Sequence, residues 1–143
     1  MRMRVVGCPL CDAPGGLVLW MDQRCRVVFI EDSPFAGFCR VVWNDHVKEM
    51  TDLADADRSH LMDVVAVVER ALRELLQPDK MNLAALGNQV PHLHWHVIPR
   101  FSDDTNFPDA IWAAPKREAT AHPLPPNFVA SLTAVLADKL GAA

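Results

Sequence analysis

Three of the six histidines in this chain lie two residues apart in the stretch NQVPHLHWHVIPR, residues 88–100: His92, His94 and His96. A large apolar residue follows each of them: Leu93, Trp95 and Val97. On a β-strand, side chains two residues apart project from the same face, about 6.6 Å from each other along the chain. The spacing therefore predicts a strand that carries three imidazoles on one face, turns an apolar face to a core and ends at Pro99.

Imidazole suits chemistry at cellular pH because it titrates near neutrality. A neutral ring can attack phosphorus or accept a proton, and neighbouring rings can donate hydrogen bonds to phosphate oxygens. Such a strand fits phosphoryl or nucleotidyl transfer. Alternate histidines on a strand are also a common set of metal ligands, and three polar residues on a solvated face are a third interpretation. Spacing alone does not separate the two chemistries.

Two of the four cysteines form a C-x-x-C pair near the N-terminus, Cys8 and Cys11. This spacing is typical of metal ligands and of redox-active pairs alike. The other two, Cys25 and Cys39, lie inside predicted strands without a partner pattern. We expect them to be small buried side chains.

The composition limits the classes of function. A chain of 143 residues with 50% hydrophobic and 22% charged residues is typical of one globular domain. The formal net charge of −4 argues against binding to a nucleic-acid polymer, which needs a basic surface, but it leaves room for a small phosphate-bearing ligand. No apolar run is long enough for a signal peptide or a membrane span, so we expect a cytoplasmic protein with no membrane partner.

The rest of the sequence predicts the elements that must position these residues. Besides the histidine strand, we expect strands at residues 17–20, 24–30, 37–43 and 80–86. Apolar residues at three- and four-residue spacing predict a long helix over residues 55–77 and a last helix that Asn127 caps. Residues 101–126 are irregular and rich in proline. This order predicts an α+β fold with a mainly antiparallel sheet.

The stretch HLHWHVIPR resembles the motif of the histidine triad (HIT) superfamily, His-φ-His-φ-His-φ-φ with φ apolar, at all seven positions. The segment VFIEDSPFAGFCRVVWNDHVKEMTDL, residues 28–53, is similar to the hairpin of that family, and GNQV at 87–90 is similar to the segment before its triad. The resemblance spans roughly residues 5–112. It implies a HIT-like fold of about five antiparallel strands, one long helix and a C-terminal helix. Residues 1–114 would form the HIT domain, and residues 115–143 a Pro-rich linker and a helix packed on the same domain.

What this resemblance implies is a nucleotide hydrolase or transferase that cleaves at an α-phosphate through a nucleotidyl-histidine intermediate. His94 would be the nucleophile, His96 would bind the phosphate and His92 would assist from the side. His46 matches a fourth histidine of the family that supports the ring of the nucleophile. The implied substrates are dinucleoside polyphosphates or nucleoside phosphoramidates, and residues 103–112 resemble the branches that cleave the former. The family also implies a homodimer and no organic cofactor.

Four polar residues match nucleotide-binding positions of the family: Glu31, Asn82, Asn88 and Gln89. Glu31 stands where an acid or amide contacts the ribose, and Asn82 resembles an asparagine of the phosphate site. Asn88 and Gln89 replace the usual glutamine followed by serine or threonine, whose side chains donate to the phosphate and the leaving group. This departure leaves open a nucleotide-binding module with little turnover.

Some bacterial members of the family carry a similar cysteine pair as part of a structural zinc site. The resemblance implies that Cys8, Cys11, His46 and His92 would complete a Cys₂His₂ set. His92 would then be structural, and His94 and His96 would carry the chemistry. Thiols without a metal remain the alternative for the pair, and a metal-dependent hydrolase with the three histidines as ligands remains an alternative for the strand.

Overall fold

The computed structural model describes residues 3–141, in which five strands form one antiparallel sheet in the order β1-β2-β3-β5-β4. The strands are β1 (Leu17–Met21), β2 (Cys25–Phe29), β3 (Cys39–Trp43), β4 (Lys80–Ala84) and β5 (His94–Arg100). The helices are α1 (Pro9–Asp12), α2 (Asp55–Leu76) and α3 (Phe128–Leu140), with a 3₁₀ turn at Met50–Asp52. The predicted α+β class and five-stranded antiparallel sheet are confirmed. Within residues 3–141, no helix combines the length and apolarity needed to cross a bilayer.

The core lies between the sheet and the two longer helices. The apolar stripe of α2 is buried in it, as its spacing predicts: Leu61, Val64, Val65, Val68 and Leu72. The inner face of α3 joins the same core: Phe128, Leu132 and Leu136. Burying a side chain of this kind contributes about 1.5–3 kcal/mol. The helix α2 ends at Leu76, one residue before the predicted end, because Gln77 adopts a left-handed backbone and Pro78 follows.

Asn127 occupies the N-cap position of α3, as predicted, but it does not cap the helix with its side chain. Asn127 precedes the helix, but its side chain makes no capping hydrogen bond and its backbone is left-handed, with φ 60°. A capping side chain normally reaches the first turn from an extended backbone. Asparagine here serves the left-handed turn, which it tolerates better than most residues.

The histidine strand begins at His94, two residues later than the spacing predicts. The backbone N–H of His92 donates to the carbonyl of Val90 in a tight turn, at 2.8 Å. The N–H of Leu93 donates at 2.8 Å to the carbonyl of Val47, in the connection before α2 and outside the sheet. His92 therefore lies outside β5, and only His94 and His96 share the face that the sequence assigned to three rings.

The strand also runs past Pro99, which was predicted to end it. Proline lacks the N–H that a central strand donates to its neighbours. On one side of β5, Pro99 lies opposite Met81 of β4; on the other side, β3 ends at Cys39, opposite Val97. Because β3 no longer pairs at the level of Pro99, the missing N–H leaves no β3 carbonyl without a donor.

The apolar face of the histidine strand is confirmed. Leu93 and Val97 are buried in the main core, and Trp95 packs against that core while its indole N–H points to the sulfur of Met50 at 3.4 Å. Cys25 and Cys39 are fully buried, also as predicted. Burial raises the pKa of Cys25 to about 12 and raises the pKa of Cys39 as well, so both remain neutral thiols.

The irregular segment after β5 is anchored by a buried ion pair. Arg100 is 1% exposed, and its Nε and Nη2 donate to the two carboxylate oxygens of Asp104 at 2.8 and 2.9 Å. Burial alone would raise the pKa of Asp104, but the bonds from Arg100 and from the backbone N–H groups of Asn106 and Phe107 hold it below its ordinary value. The third donor of Arg100, Nη1, reaches Oδ1 of Asn82 at 2.8 Å. This residue therefore ties β4, β5 and the following loop together.

Arg100→Met is expected to lower the free energy of unfolding by about 3–5 kcal/mol, because it leaves the carboxylate of Asp104 buried and unpaired. Urea denaturation near neutral pH measures the change. The stabilisation exists above the ordinary pKa of aspartate and is lost as the pH falls through the depressed pKa of Asp104. The matched control is Arg73→Met, whose exposed pair with Glu69 is worth about 0.5 kcal/mol or less. Equal effects from the two variants would contradict this account of the loop.

Candidate active site

The sheet face opposite α2 and α3 carries His94 and His96 near its centre. Strand β5 lies between β3 and β4, and the register places Val42 opposite His94 and Arg40 opposite His96 on the β3 side. On the β4 side, Ala84 lies opposite His96. The two histidine rings stand edge to face, with their centroids 4.9 Å apart. Rigid strands therefore hold two imidazoles next to each other on one surface.

The tautomer of His94 follows from its hydrogen bond. Its Nδ1 lies 2.6 Å from the backbone carbonyl oxygen of His92. Since a carbonyl can only accept, Nδ1 carries the proton and Nε2 keeps its lone pair when the ring is neutral. Burial lowers the pKa of His94 below its ordinary value, the bond to the carbonyl opposes this, and the cation of Arg40 adds to the lowering. His94 is therefore a neutral ring with a free nucleophilic nitrogen near neutral pH.

His96 holds the opposite tautomer. Nε of Arg40 donates to its Nδ1 at 3.3 Å, and because a guanidinium only donates, Nδ1 must accept. The remaining proton then sits on Nε2. Burial, with smaller contributions from His94 and Arg40, lowers the pKa of His96 to about 3. Neutral His96 thus presents an N–H donor, and Trp112 and Phe38 pack beside its ring, at centroid distances of 4.9 and 5.7 Å.

His92 is fully buried, and both of its ring nitrogens are engaged away from that pair. Its Nε2 donates to the carbonyl of Trp43 at 2.6 Å, so its Nδ1 carries the lone pair. That Nδ1 faces the sulfurs of Cys8 and Cys11 at 3.4 and 3.5 Å. His92 contacts the His94 ring through its backbone carbonyl, which means that its imidazole and its main chain serve two different sites.

The four residues that the sequence suggested as metal ligands come together: Cys8, Cys11, His46 and His92. Their ligand atoms all lie within 4.8 Å of one another, with the Cys11 sulfur 3.5 Å from Nδ1 of His46. A tetrahedral zinc ion with ordinary Zn–S and Zn–N bonds would hold sulfur and nitrogen about 3.5 Å apart. The short helix α1, which the sequence analysis did not predict, turns both sulfurs to the same side. The donor set and its spacing fit zinc.

The same geometry argues against a metal held by the three histidines. In the described part of the chain, neither His94 nor His96 belongs to any group of three or more potential ligands. Nδ1 of each is already engaged, one by a carbonyl and the other by Arg40. Of the three histidines, only His92 lies in a cluster of three or more potential metal ligands within residues 3–141.

The four predicted nucleotide-binding residues lie around this face, and they differ in exposure and in hydrogen bonding. Asn82 of β4 stands opposite Ile98, and its side-chain oxygen accepts from Arg100, which leaves its amide N–H₂ for another partner. Glu31 is exposed in the turn after β2. Asn88 and Gln89 are exposed in the loop that leads to His92, and their side chains bond to no described residue. Their roles stay predictions.

Two residues next to His96, Arg40 and Trp112, were not predicted as site residues. The alternation in β3 predicts on which face of the sheet Arg40 lies, but only the pairing register places it opposite His96. Trp112 comes from the irregular segment, which Asn106 shapes: its amide nitrogen donates to three backbone carbonyls, those of Ala110, Ile111 and Ala113. No local pattern indicates that this loop returns to β5.

Comparison with known proteins gives matches of three kinds. The family model described as the HIT domain matches residues 16–103. Among curated proteins, an AP-4-A phosphorylase of Mycobacterium tuberculosis is 32% identical over 77 residues, which cover 50% of this chain and 40% of that protein. This chain therefore matches less than half of the length of that relative.

Solved structures of histidine triad proteins share the fold over nearly the whole chain. One from Bradyrhizobium japonicum is 28% identical with a TM-score of 0.72, covering 96% of this chain and 98% of that one. One from Marinobacter aquaeolei is 27% identical with a TM-score of 0.71, covering 96% of each chain. With the family model matching more than half of the sequence, the triad motif at residues 92–98 and this fold, the chain belongs to the HIT family.

Proposed function

We propose that this protein is a nucleotide hydrolase or transferase that cleaves at an α-phosphate through a nucleotidyl intermediate on His94. The observation that carries the proposal is the hydrogen bond between Nδ1 of His94 and the carbonyl of His92, at 2.6 Å, which leaves Nε2 as the free nucleophile. Membership of the HIT family and the likeness to an AP-4-A phosphorylase support an enzyme that acts on nucleotides.

In the first step, the lone pair on Nε2 of His94 attacks the α-phosphorus. The bond from phosphorus to the leaving group breaks, and the departing group leaves with that electron pair and takes a proton from solvent as needed. The ring becomes cationic, and its Nδ1–H keeps donating to the carbonyl of His92, which stabilises that charge. Nε2–H of His96 donates to a non-bridging oxygen as negative charge builds there.

In the second step, an acceptor attacks the same phosphorus and the P–N bond breaks, which returns the electron pair to Nε2 of His94. If the acceptor is water, it loses one proton to solvent and the product is a nucleoside monophosphate. If the acceptor is inorganic phosphate, the product is a nucleoside diphosphate. The name of the curated relative makes phosphate an acceptor to test beside water.

We assign substrate binding to the polar residues around the pair. The carboxylate of exposed Glu31 would accept from the ribose hydroxyls, and the free amide of Asn82 would donate to a phosphate oxygen. Asn88 and Gln89, which have no partner in the described chain, are available for the leaving group. The preferred substrate class is a dinucleoside polyphosphate, by the likeness of residues 103–112 to that branch. The mechanism uses no organic cofactor.

We also propose that the cluster of Cys8, Cys11, His46 and His92 holds a structural zinc ion. The metal would cross-link α1 to the segment before β5. Because the carbonyl of His92 orients the His94 ring, fixing His92 also fixes the nucleophile. The chemistry itself uses only protein side chains, so a chelator should act slowly, through loss of structure.

A product assay tests the proposed function. Diadenosine tetraphosphate and adenosine phosphoramidate are incubated with the protein, with and without inorganic phosphate, and the products are separated by chromatography. Cleavage of the tetraphosphate at an α-phosphate gives AMP and ATP in water, or ADP and ATP with phosphate as acceptor. Symmetric cleavage to two ADP in the absence of phosphate, or stoichiometric binding without product, would contradict the proposal.

We propose a homodimer through the edge strand β4. Strand β4 is an outer strand of the sheet, and the side chains of Leu83 in it and of Leu86 just after it are exposed. A second copy pairing there would cover both. Sedimentation at micromolar concentration should give twice the mass of the 15.9 kDa chain, and Leu83→Lys should shift the mass to that of a monomer. A monomeric mass for the unaltered protein would contradict the proposal.

A further inference from the structure

Arg40 is the charged residue nearest the histidine pair that the proposed mechanism does not yet use. It lies on β3 directly opposite His96, half-buried, with its guanidinium 5.2 Å from the centroid of the Phe38 ring. Within residues 3–141, no carboxylate forms an ion pair with it. Its Nε donates to Nδ1 of His96, and no other hydrogen bond of this side chain is present in the described chain.

This contact discriminates between the two neutral tautomers of His96. With the proton on Nε2, Nδ1 offers a lone pair to the N–H of Arg40. With the proton on Nδ1, two donors would face each other across 3.3 Å and the bond would be lost. A hydrogen bond to a charged group is strong enough to bias such an equilibrium about ten- to a hundredfold.

The tautomer decides what His96 can do for a substrate. Only Nε2–H places a donor on the side of the ring away from Arg40, whereas a lone pair at Nε2 would repel a phosphate oxygen. In free histidine the two neutral tautomers exchange readily, and burial keeps His96 neutral in the protein. A contact that favours the productive form therefore raises the fraction of the protein in which His96 can donate to phosphate.

We propose that Arg40 is a positioning residue that fixes His96 as the neutral Nε2–H donor of the phosphate site. The inference rests on the proposed function for its purpose, but the tautomer is a property of the protein without substrate. Arg40 fixes the tautomer through its Nε–H donor. A positive charge without a donor at that position does not fix it.

Three substitutions separate the donor from the charge. Arg40→Gln places an amide nitrogen at the same distance along the side chain as Nε and removes the charge. Arg40→Lys keeps a charge but places a methylene there, and Arg40→Met removes both. Arg73→Met, which removes an exposed arginine of α2, is the matched control. Backbone amide spectra and melting temperatures verify that each variant folds.

The first readout is the tautomer of His96 from ¹⁵N chemical shifts and couplings of the imidazole, assigned by loss of the signal in His96→Ala. The unaltered protein, Arg73→Met and Arg40→Gln should show protonated Nε2. Arg40→Lys and Arg40→Met should show a mixture of tautomers. Protonated Nε2 at full occupancy in Arg40→Met would overturn the proposal, as would protonated Nδ1 in the unaltered protein.

The second readout is turnover of diadenosine tetraphosphate. Arg40→Gln should keep kcat within about twofold of the unaltered enzyme, while Arg40→Lys should lose as much kcat as Arg40→Met, about two- to tenfold, because kcat falls with the population of the Nε2–H tautomer, with KM changing less. High kcat in Arg40→Lys with low kcat in Arg40→Gln would show that Arg40 acts by charge, and would overturn the proposal. If the protein cleaves no nucleotide, the proposed function fails while the tautomer readout still decides the role of Arg40.

Discussion

His94→Ala is expected to lower the turnover of diadenosine tetraphosphate by at least about a thousandfold. The substitution removes the attacking atom, and nothing else at this position can form the P–N bond. Large losses are typical when a nucleophile and its supporting groups act as a unit. Steady-state kinetics with chromatographic detection of AMP and ATP measures the change.

Two further variants serve as comparisons for the effect of His94→Ala. His96→Ala should lose about 10²- to 10³-fold, because it removes a donor to the phosphate and spares the nucleophile. His122→Ala should leave turnover unchanged, since His122 pairs with Asp103 and stacks on Phe101, outside the site. Turnover within tenfold of normal in His94→Ala would contradict the proposed mechanism.

The second large effect concerns the metal cluster. The double variant Cys8→Ser, Cys11→Ser is expected to lose bound zinc and to melt more than about 10 °C below the unaltered protein. Metal binding to a preformed site contributes directly to folding free energy, and each lost kilocalorie per mole lowers the midpoint by several degrees in a domain of this size. Elemental analysis of the purified protein and calorimetry in added zinc give the two values.

Cys39→Ala is the matched control for the metal. Cys39 is fully buried but belongs to no ligand cluster in the described chain, so its variant should keep stoichiometric zinc. Purified protein without zinc, whose melting temperature is the same before and after the double substitution in added zinc, would contradict the structural zinc site. Turnover of the double variant should fall with its loss of structure, because His92 orients His94.

The sequence predicted the features of β5 that depend on short-range pattern. Alternation placed Leu93, Trp95 and Val97 on the core side, and it correctly put His94 and His96 on the other face. These predictions succeed because a strand has a period of two and one side of this sheet is covered by helices.

The alternating pattern gave a wrong prediction at His92, where contacts outside the sheet compete with strand pairing. His92 keeps the alternation in sequence, yet its N–H turns back to Val90 and its ring turns to the cysteines. The approach of α1 to His92 joins residues more than eighty positions apart, and no local pattern could indicate it. The resemblance to the HIT family supplied that ligand set instead.

Arg40 illustrates a different limit. Its face on β3 follows from alternation, but its distance from His96 depends on the pairing register of β3 with β5, which connect through a helix and another strand. A shift of one residue would move its side chain to the core face. The sequence alone therefore could not identify Arg40 as the residue that fixes the tautomer of His96.

The central claim, a covalent intermediate on His94, is tested most directly by trapping it. Diadenosine tetraphosphate labelled with ³²P at the α-phosphate is mixed rapidly with the protein, and the reaction is quenched in alkaline denaturant. A phosphorus–nitrogen bond survives alkali and is cleaved by mild acid, the reverse of an acyl phosphate. The account predicts protein-bound label with this stability in the unaltered enzyme and in His96→Ala, and none in His94→Ala. Label that persists in His94→Ala, or turnover by the unaltered enzyme with no trapped label at any quench time, would contradict it.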